Sequence, residues 1–156
     1  MPSTPESRLA ALGLSLPPAP EPGGVYQPIV EYQGLLYVSG HVPVRLDGSV
    51  ITGTVGADMD LQEARLAAQQ AGLTLLASLK AYLGELNRID RLLKSLGMVN
   101  CSPTFTQQPQ VINGYSELMM ALWGPDRGVG ARSAVGMMLP LGAAVEVEAV
   151  FALQST

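Results

Sequence analysis

The feature that most constrains this chain is a strand-like segment near its C-terminus that carries two glutamates. From Ala144 to Phe151 apolar residues occupy every second position, and Glu146 and Glu148 lie between them on the opposite face. Two carboxylates on one face of a strand, two residues apart, are ~7 Å from each other. They are tolerated in water, but in a cleft they require a nearby cation or a proton. The segment is therefore either a strand with a solvated face or part of a polar site.

Arg132 is the nearest cation that precedes this strand. It is followed by a second strand-like segment, Ser133–Leu139, and a turn over Pro140–Gly142 separates the two segments. This spacing predicts a hairpin that brings Arg132 beside Glu146. A planar guanidinium binds a carboxylate through two N–H groups. Arg132 is thus either a ligand-binding residue or the ion-pair partner of one of the two glutamates.

Composition limits the class of protein. With 156 residues, of which 47% are hydrophobic and 14% charged, we expect a single domain over residues 1–156 whose few charges do not cover a monomer, and hence an oligomer. A net charge of −4 without a basic cluster disfavours binding of nucleic acid. One cysteine, Cys101, and one histidine predict no metal site and fit a reducing compartment. No apolar run long enough to span a membrane is present, so we expect a cytoplasmic protein.

Capping residues, tight turns and prolines divide the chain into elements. Four prolines exclude helix and central strand from residues 16–24, which form an extended lead-in after a first helix. Asp60 with Glu63 is a capping box, and Gly84 is a helix stop. The predicted elements are a helix from the N-cap Ser3 with Glu6 to about Leu12, a hairpin of Tyr26–Tyr32 and Leu35–Ser39, a short hairpin around Asp47-Gly48, a helix Asp60–Leu83, a strand Arg91–Val99, a helix from about Gln108 to Gly124-Pro125, and strands Ser133–Leu139 and Ala144–Phe151.

These elements predict an α+β fold of two layers. About six strands form a mixed sheet, two main helices cover one of its faces, and a short helix lies at the N-terminus. The long central helix has an inward stripe of residues spaced by three and four: Ala64, Ala68, Ala71, Leu75, Leu79 and Tyr82. The uncovered face of the sheet would carry Glu146 and Glu148, and association of several copies would bury it.

Several motifs in the right order resemble the RidA/YjgF family of reactive-intermediate deaminases, over residues 25–153. They are Val38-Ser39-Gly40-His41-Val42-Pro43, with His41 where glutamine is usual, Val111-Ile112-Asn113-Gly114-Tyr115, Ala131-Arg132-Ser133-Ala134, with Ala134 where cysteine is usual, and Val145-Glu146-Val147-Glu148. The N-terminal extension is similar to that of a less characterised branch. The resemblance implies a chorismate-mutase-like fold, a homotrimer, and sites at the subunit interfaces.

The same resemblance implies an activity and the residues that perform it. The reaction is hydrolysis of enamines or imines derived from amino acids to 2-keto acids and ammonia, without a cofactor. Arg132 would bind the substrate carboxylate, and Glu146 would order or deprotonate the hydrolytic water. The implied substrate-binding residues are Tyr26, Ser39, Gly40, His41, Asn113 and Ala134.

Other interpretations of the same residues remain open. The fold could bind small carboxylates without turnover, or it could act as an endoribonuclease, as some relatives are named. His41 at a strand end could be structural, and Asn113 could be an N-terminal capping amide of its helix.

Overall fold

Local signals in the sequence place most of the helix and strand ends of this protein. The structure, a computed structural model, describes residues 3–155. Its helices and strands are α1 (Pro5–Ala11), β1 (Ile29–Tyr32), β2 (Leu35–His41), α2 (Leu61–Leu83), β3 (Ile89–Val99), α3 (Gln108–Arg127), β4 (Ala131–Gly136) and β5 (Val145–Leu153). The α+β class and the two-layer arrangement are confirmed.

The sheet has five strands in the order β1-β2-β5-β3-β4. The prediction of about six strands was too high because the second hairpin, around Asp47-Gly48, is too short to add strands to the sheet. It has one antiparallel bridge, between Val44 and Val50, with backbone hydrogen bonds from the Arg45 N–H to the Ser49 carbonyl at 2.8 Å and from the Ile51 N–H to the Pro43 carbonyl at 2.9 Å. In its turn the Asp47 carboxylate accepts a hydrogen bond from the Ser49 N–H at 2.9 Å. The first hairpin is confirmed, with a turn at Gln33 and Gly34 whose φ angles are 49° and 76°.

The predicted hairpin between the Arg132 strand and the Glu146 strand is wrong. β4 pairs in parallel with β3, and β3 separates β4 from β5 in the sheet. The physical reason is the connection: β3 and β4 are joined through the helix α3, and a helical crossover returns the chain parallel to the strand it left. The turn over Pro140–Gly142 therefore carries the chain past β3 instead of folding β4 back onto β5.

Helix α2 begins and ends where its caps predict. Asp60 and Glu63 form a reciprocal capping box, and Gly84 closes the last turn with a φ of 85°. The inward stripe is buried from Ala64 to Leu79. The prediction that Tyr82 faces inward is wrong, since half of its surface is exposed. In the described part of the chain, residues 3–155, no helix is long and apolar enough to cross a membrane.

Helices α2 and α3 cross closely on one face of the sheet. A Cβ added to Gly114 of α3 would lie 2.0 Å from the backbone oxygen of Arg65 in α2, so only glycine fits at this crossing. Gly114 thus allows the backbones of α2 and α3 to lie close together at this crossing. Helix α3 breaks at Gly124, whose φ of 80° and ψ of 171° are not helical, and one further turn follows. The predicted end at Gly124-Pro125 marks this break.

The N-terminal helix α1 is capped one residue later than predicted. Thr4 is the N-cap, and its capping-box partner is Ser7. The Glu6 carboxylate instead accepts a hydrogen bond from the Leu86 N–H at 2.6 Å. Arg8 donates to the Leu122 carbonyl at 2.6 Å. These two long-range bonds fix α1 against the body of the fold.

Candidate functional site

The two predicted catalytic residues lie in different parts of the chain's surface. Glu146 belongs to a cavity at the β2 and β5 strands, and Arg132 lies at the outer strand β4. We therefore describe a cavity cluster (Tyr26, Ser39, Gly40, His41 and Glu146) and an edge cluster (Arg132, Asn113 and Ala134).

A β-bulge forms the floor of the cavity cluster. In the pairing of β2 with β5, Val38 lies opposite Ala149 but His41 lies opposite Val147, so β2 has one extra residue at this point. The Glu146 carboxylate packs directly over Gly40 in the bulge. A Cβ at Gly40 would lie 2.1 Å from a Glu146 carboxylate oxygen. Glycine at this position therefore leaves the space that the carboxylate occupies.

The cavity has a volume of about 790 Å³ and contains every residue of the cavity cluster. Three glutamates line it, Glu21, Glu146 and Glu148, and no lysine or arginine is among its lining residues. The sequence did not predict that the proline-rich lead-in would form one wall. Its four prolines excluded regular structure, but only the fold places three of them, Pro18, Pro20 and Pro22, in the cavity that Glu146 lines.

Burial and a like charge raise the pKa of Glu146. The larger cause is desolvation, because the carboxylate is half-buried, and the smaller is the negative charge of Glu148. Both effects favour the protonated form. Glu146 therefore holds and releases a proton closer to neutral pH than an ordinary glutamate does, which suits a group that exchanges protons with water.

His41 is held by hydrogen bonds on both ring nitrogens. Nδ1 lies 2.6 Å from the carbonyl oxygen of Ser39, which only accepts, so Nδ1 carries the proton. Nε2 lies 2.8 Å from Ser78 Oγ on α2 and accepts from that hydroxyl. The ring is 4% exposed, and its burial lowers the pKa. These contacts favour the structural interpretation of His41: its ring ties β2 to α2, and it has no free nitrogen for a substrate.

Tyr26, which precedes β1, and Ser39, which belongs to β2, line the same cavity. Tyr26 lies before the first strand, not within it as predicted, and half of its side chain is exposed. Its hydroxyl accepts a hydrogen bond from the Gly23 N–H at 3.2 Å. Ser39 Oγ donates to the Gln27 carbonyl at 2.7 Å. The Ser39 side chain therefore fixes the segment after the lead-in against β2, and the Tyr26 hydroxyl makes a local contact within that segment.

The edge cluster presents a guanidinium supported by neutral groups. Arg132 Nη1 donates to Asn113 Oδ1 at 2.8 Å and to Ser116 Oγ at 3.0 Å. Its Nη2 donates to the Pro109 carbonyl at 3.3 Å. Among residues 3–155 no carboxylate pairs with Arg132. The predicted alternative of an ion pair with Glu146 or Glu148 in the same chain is therefore wrong.

Asn113 supports Arg132 and does not cap its helix. Helix α3 begins at Gln108, so Asn113 lies beyond the first turn, and the capping interpretation is wrong. Sequence reasoning missed Ser116, although a position three residues after Asn113 shares its helix face. Ala134 lies two residues after Arg132 on the same face of β4 and packs against the core.

Within one chain the two clusters face different directions. Arg132 pairs in register with Ser95, whose side chain points to the helices and bonds the Tyr115 hydroxyl at 2.8 Å. Glu146 alternates with the buried residues Val145 and Val147 and so points to the opposite face of the sheet. In the described residues 3–155 no group of three or more metal-ligating side chains is close enough to hold a metal ion.

Comparison with known proteins identifies relatives along nearly the whole chain. The Trypanosoma cruzi protein TCP17 is 39% identical over 150 residues, which cover 96% of this chain and 94% of that protein. A crystal structure of a protein of unknown function from Agrobacterium tumefaciens has 40% identity and a TM-score of 0.88, covering 97% of this chain and 94% of that one.

A third relative and a family model agree with them. A Shewanella oneidensis protein described as a "putative endoribonuclease" has 32% identity and a TM-score of 0.91, with 96% of this chain and 99% of that chain covered. The family model described as "YjgF/chorismate mutase-like, putative endoribonuclease" matches residues 6–150, which include α1 and the lead-in. The chain therefore belongs to the YjgF/chorismate mutase-like family, the RidA/YjgF family that its motifs resemble.

Proposed function

We propose that this protein hydrolyses reactive 2-imino and 2-enamino acids to 2-keto acids and ammonia. The edge cluster binds the substrate carboxylate through Arg132, and the cavity cluster provides Glu146 for the water. The two clusters come from two copies of the chain. The reaction needs no cofactor in this proposal, and the single free thiol of Cys101 fits action in a reducing cytoplasm.

The observation that carries the proposal is the state of Arg132. Its three hydrogen bonds go to an amide, a hydroxyl and a backbone carbonyl, and a guanidinium has five N–H donors. Two N–H groups are thus left without an acceptor among residues 3–155. A positive group that is held rigidly, half-buried and not neutralised is suited to bidentate binding of a carboxylate.

Glu146 supplies the proton transfers of the hydrolysis. Its carboxylate accepts a proton as water adds to the imine carbon, and the carbon–nitrogen double bond becomes a single bond. The same carboxyl donates that proton to the nitrogen, which completes a carbinolamine. It then moves the hydroxyl proton of the carbinolamine to the nitrogen as the carbonyl forms and the remaining carbon–nitrogen bond breaks, and ammonia leaves with the 2-keto acid. No net proton stays on the protein. The raised pKa makes the Glu146 carboxylate a stronger base than an ordinary glutamate, which favours its role as proton acceptor.

Assembly as a homotrimer brings the two clusters together in this proposal. The β4 edge of one copy would lie against the uncovered sheet face of the next, so that Arg132 from one chain faces Glu146 from another. Such an interface joins two different surfaces, and rotation closes it into a ring. The opposite charges of the two clusters favour this contact, because the cavity carries three glutamates and no cation among its lining residues.

The test is the decay of an imino acid made in solution by an amino acid oxidase. The formation of 2-keto acid is followed with and without the protein, in the presence of semicarbazide, which traps the imine. We expect the wild type to accelerate hydrolysis. Arg132→Ala should raise KM strongly, because it removes the carboxylate contact, and Glu146→Gln should lower kcat about 100-fold or more, because it removes the proton acceptor.

Three results have different meanings. No acceleration by the wild type removes the enzyme proposal. Binding of 2-keto acids that is lost in Arg132→Ala, without any turnover, supports a carboxylate-binding protein in its place. Wild-type rates in Glu146→Gln remove the proposed role of that residue.

Cleavage of RNA is the competing activity, since the family description names an endoribonuclease. The net charge of −4 and the acidic cavity oppose capture of a phosphate backbone. RNA cleavage that persists through stringent purification and is abolished by Arg132→Ala would favour it over imine hydrolysis.

A further inference from the structure

The proline-rich lead-in forms one side of the cavity that holds Glu146. Its residues from Pro18 to Gly23 line the cavity together with Gly40 and Glu146 on the opposite side. The remaining lining is largely apolar and includes Tyr26 and Leu141. Leu141 is 74% exposed and has a φ of 62°, a left-handed backbone that places a large apolar side chain where it lines the cavity.

Both ends of this wall are fixed. Before it, Leu16 packs against the hydrophobic core and Pro17 is buried. After it, Ser39 of β2 donates to the Gln27 carbonyl through Oγ at 2.7 Å and to the Pro28 carbonyl through its N–H at 2.9 Å. Prolines have few backbone conformations to lose when the chain becomes ordered. The wall is therefore a preformed surface, and a ligand that packs against it does not have to order it.

We propose that the lead-in is a specificity determinant, and that it selects 2-imino acids with bulky apolar side chains. The substrate class rests on the proposed function. In a single chain, before a neighbouring copy covers this face, the cavity has a volume of about 790 Å³, and cavities of about 300–1,000 Å³ bury ligands far larger than a three-carbon imino acid. Proline rings, Tyr26 and Leu141 provide apolar surface for a hydrocarbon side chain.

The negative charges of the cavity also affect which substrates can bind. Glu21 lies on the lead-in wall, and Glu146 and Glu148 lie on the sheet, with no cation among the lining residues. A substrate whose side chain ends in a carboxylate would meet like charge in this space. Acidic substrates are therefore rejected, and the substrate's own 2-carboxylate goes to Arg132.

Binding of 2-keto acids tests this inference without requiring turnover. Dissociation constants for phenylpyruvate, pyruvate and 2-oxoglutarate are measured by calorimetry on the protein as purified. We expect phenylpyruvate to bind about tenfold or more tightly than pyruvate, and 2-oxoglutarate to bind more weakly than phenylpyruvate by at least the same factor. Ala19→Trp, which places a large ring on the cavity wall, should weaken phenylpyruvate about tenfold and leave pyruvate unchanged. Ser15→Trp, immediately before the lead-in at an exposed position outside the cavity lining, should change neither.

The inference is overturned if phenylpyruvate and pyruvate bind equally, if neither binds, or if Ala19→Trp and Ser15→Trp have the same effect on both ligands. Turnover is measured separately with the imino acids of phenylalanine and alanine. Selective binding without turnover would exclude the proposed hydrolysis and support the role of the lead-in. Turnover without selectivity would support the proposed hydrolysis and exclude the role of the lead-in.

Discussion

Burial decides the protonation state of His41. A lone histidine at a strand end could have been a catalytic group or a structural one, and the sequence alone did not separate these. The structure gives both ring nitrogens a partner in the protein, on β2 and on α2. Glu146 is the opposite case: its alternation with apolar residues correctly predicted its face, but the bulge and the glycine beneath it depend on the pairing of β2 with β5.

The lowered pKa of His41 predicts how stability depends on pH. In the unfolded chain the imidazole has a pKa of about 6.5, and in the folded protein burial lowers it. Between the two values the unfolded chain binds more protons, so the contribution of His41 is fully present above pH 6.5 and is lost as the pH falls toward the lowered value. The free energy of unfolding should fall by up to about 1.4 kcal/mol per pH unit within this window.

The variant His41→Gln removes this titration. An amide can donate to the Ser39 carbonyl and accept from Ser78, so the fold is retained. Urea unfolding of both proteins from pH 5 to 8 should show that the wild type loses more stability than the variant below pH 6.5. Parallel curves for the two proteins would contradict the buried neutral imidazole.

Helices and strands were predictable here wherever their signals are local. The capping box of α2, its glycine stop and the Gln33-Gly34 turn each act over a few residues, and each is confirmed. Local signals did not predict the pairing partner of β4. The short Leu-Pro turn after β4 resembles a hairpin turn, and only the order of strands in the sheet excludes a hairpin of β4 with β5. The β3–α3–β4 crossover, which requires parallel pairing, was the signal that could have revealed it.

The close crossing of α2 and α3 predicts that one added methyl group at Gly114 greatly lowers the stability of the fold. Alanine normally favours a helix over glycine by about 1 kcal/mol. At Gly114 the new Cβ would lie 2.0 Å from the Arg65 backbone oxygen, and backbone moves less easily than a side chain. Gly114→Ala should therefore reduce the free energy of unfolding by about 2 kcal/mol or more.

Urea unfolding measures this loss, with Gly23→Ala as the matched control. A Cβ at Gly23 would have no atom within 4 Å. That variant should stay within about 0.5 kcal/mol of the wild type. A Gly114→Ala protein as stable as this control would show that the two helices separate easily at the crossing.

For the whole molecule, the position of Arg132 and Glu146 on different faces predicts complementation between chains. If the protein assembles as the proposed homotrimer, Arg132→Ala and Glu146→Gln should each hydrolyse imines only weakly at substrate concentrations well below KM. After denaturation together at equal amounts and refolding, ~one quarter of the interfaces would combine an intact Arg132 with an intact Glu146, if three copies mix at random. The mixture should recover about that fraction of wild-type activity.

Refolding of each variant alone is the control, and size-exclusion chromatography with light scattering gives the number of chains per particle. Activity that does not return in the mixture, although trimers form, would place both residues of a site in the same chain. A monomer that is fully active would exclude the shared site altogether.

The attachment of α1 to the body of the fold determines what is lost when the N-terminus of this protein is truncated. Removing everything before β1 would leave all five strands and both large helices, and such a fragment could still look folded by circular dichroism. It would nevertheless lack the Glu6 and Arg8 anchors and the prolines they hold in place. Ligand affinities measured on that fragment would describe a wider cavity that lacks one wall. The N-terminal segment, although it looks dispensable for the fold, would then prove to determine which ligands bind.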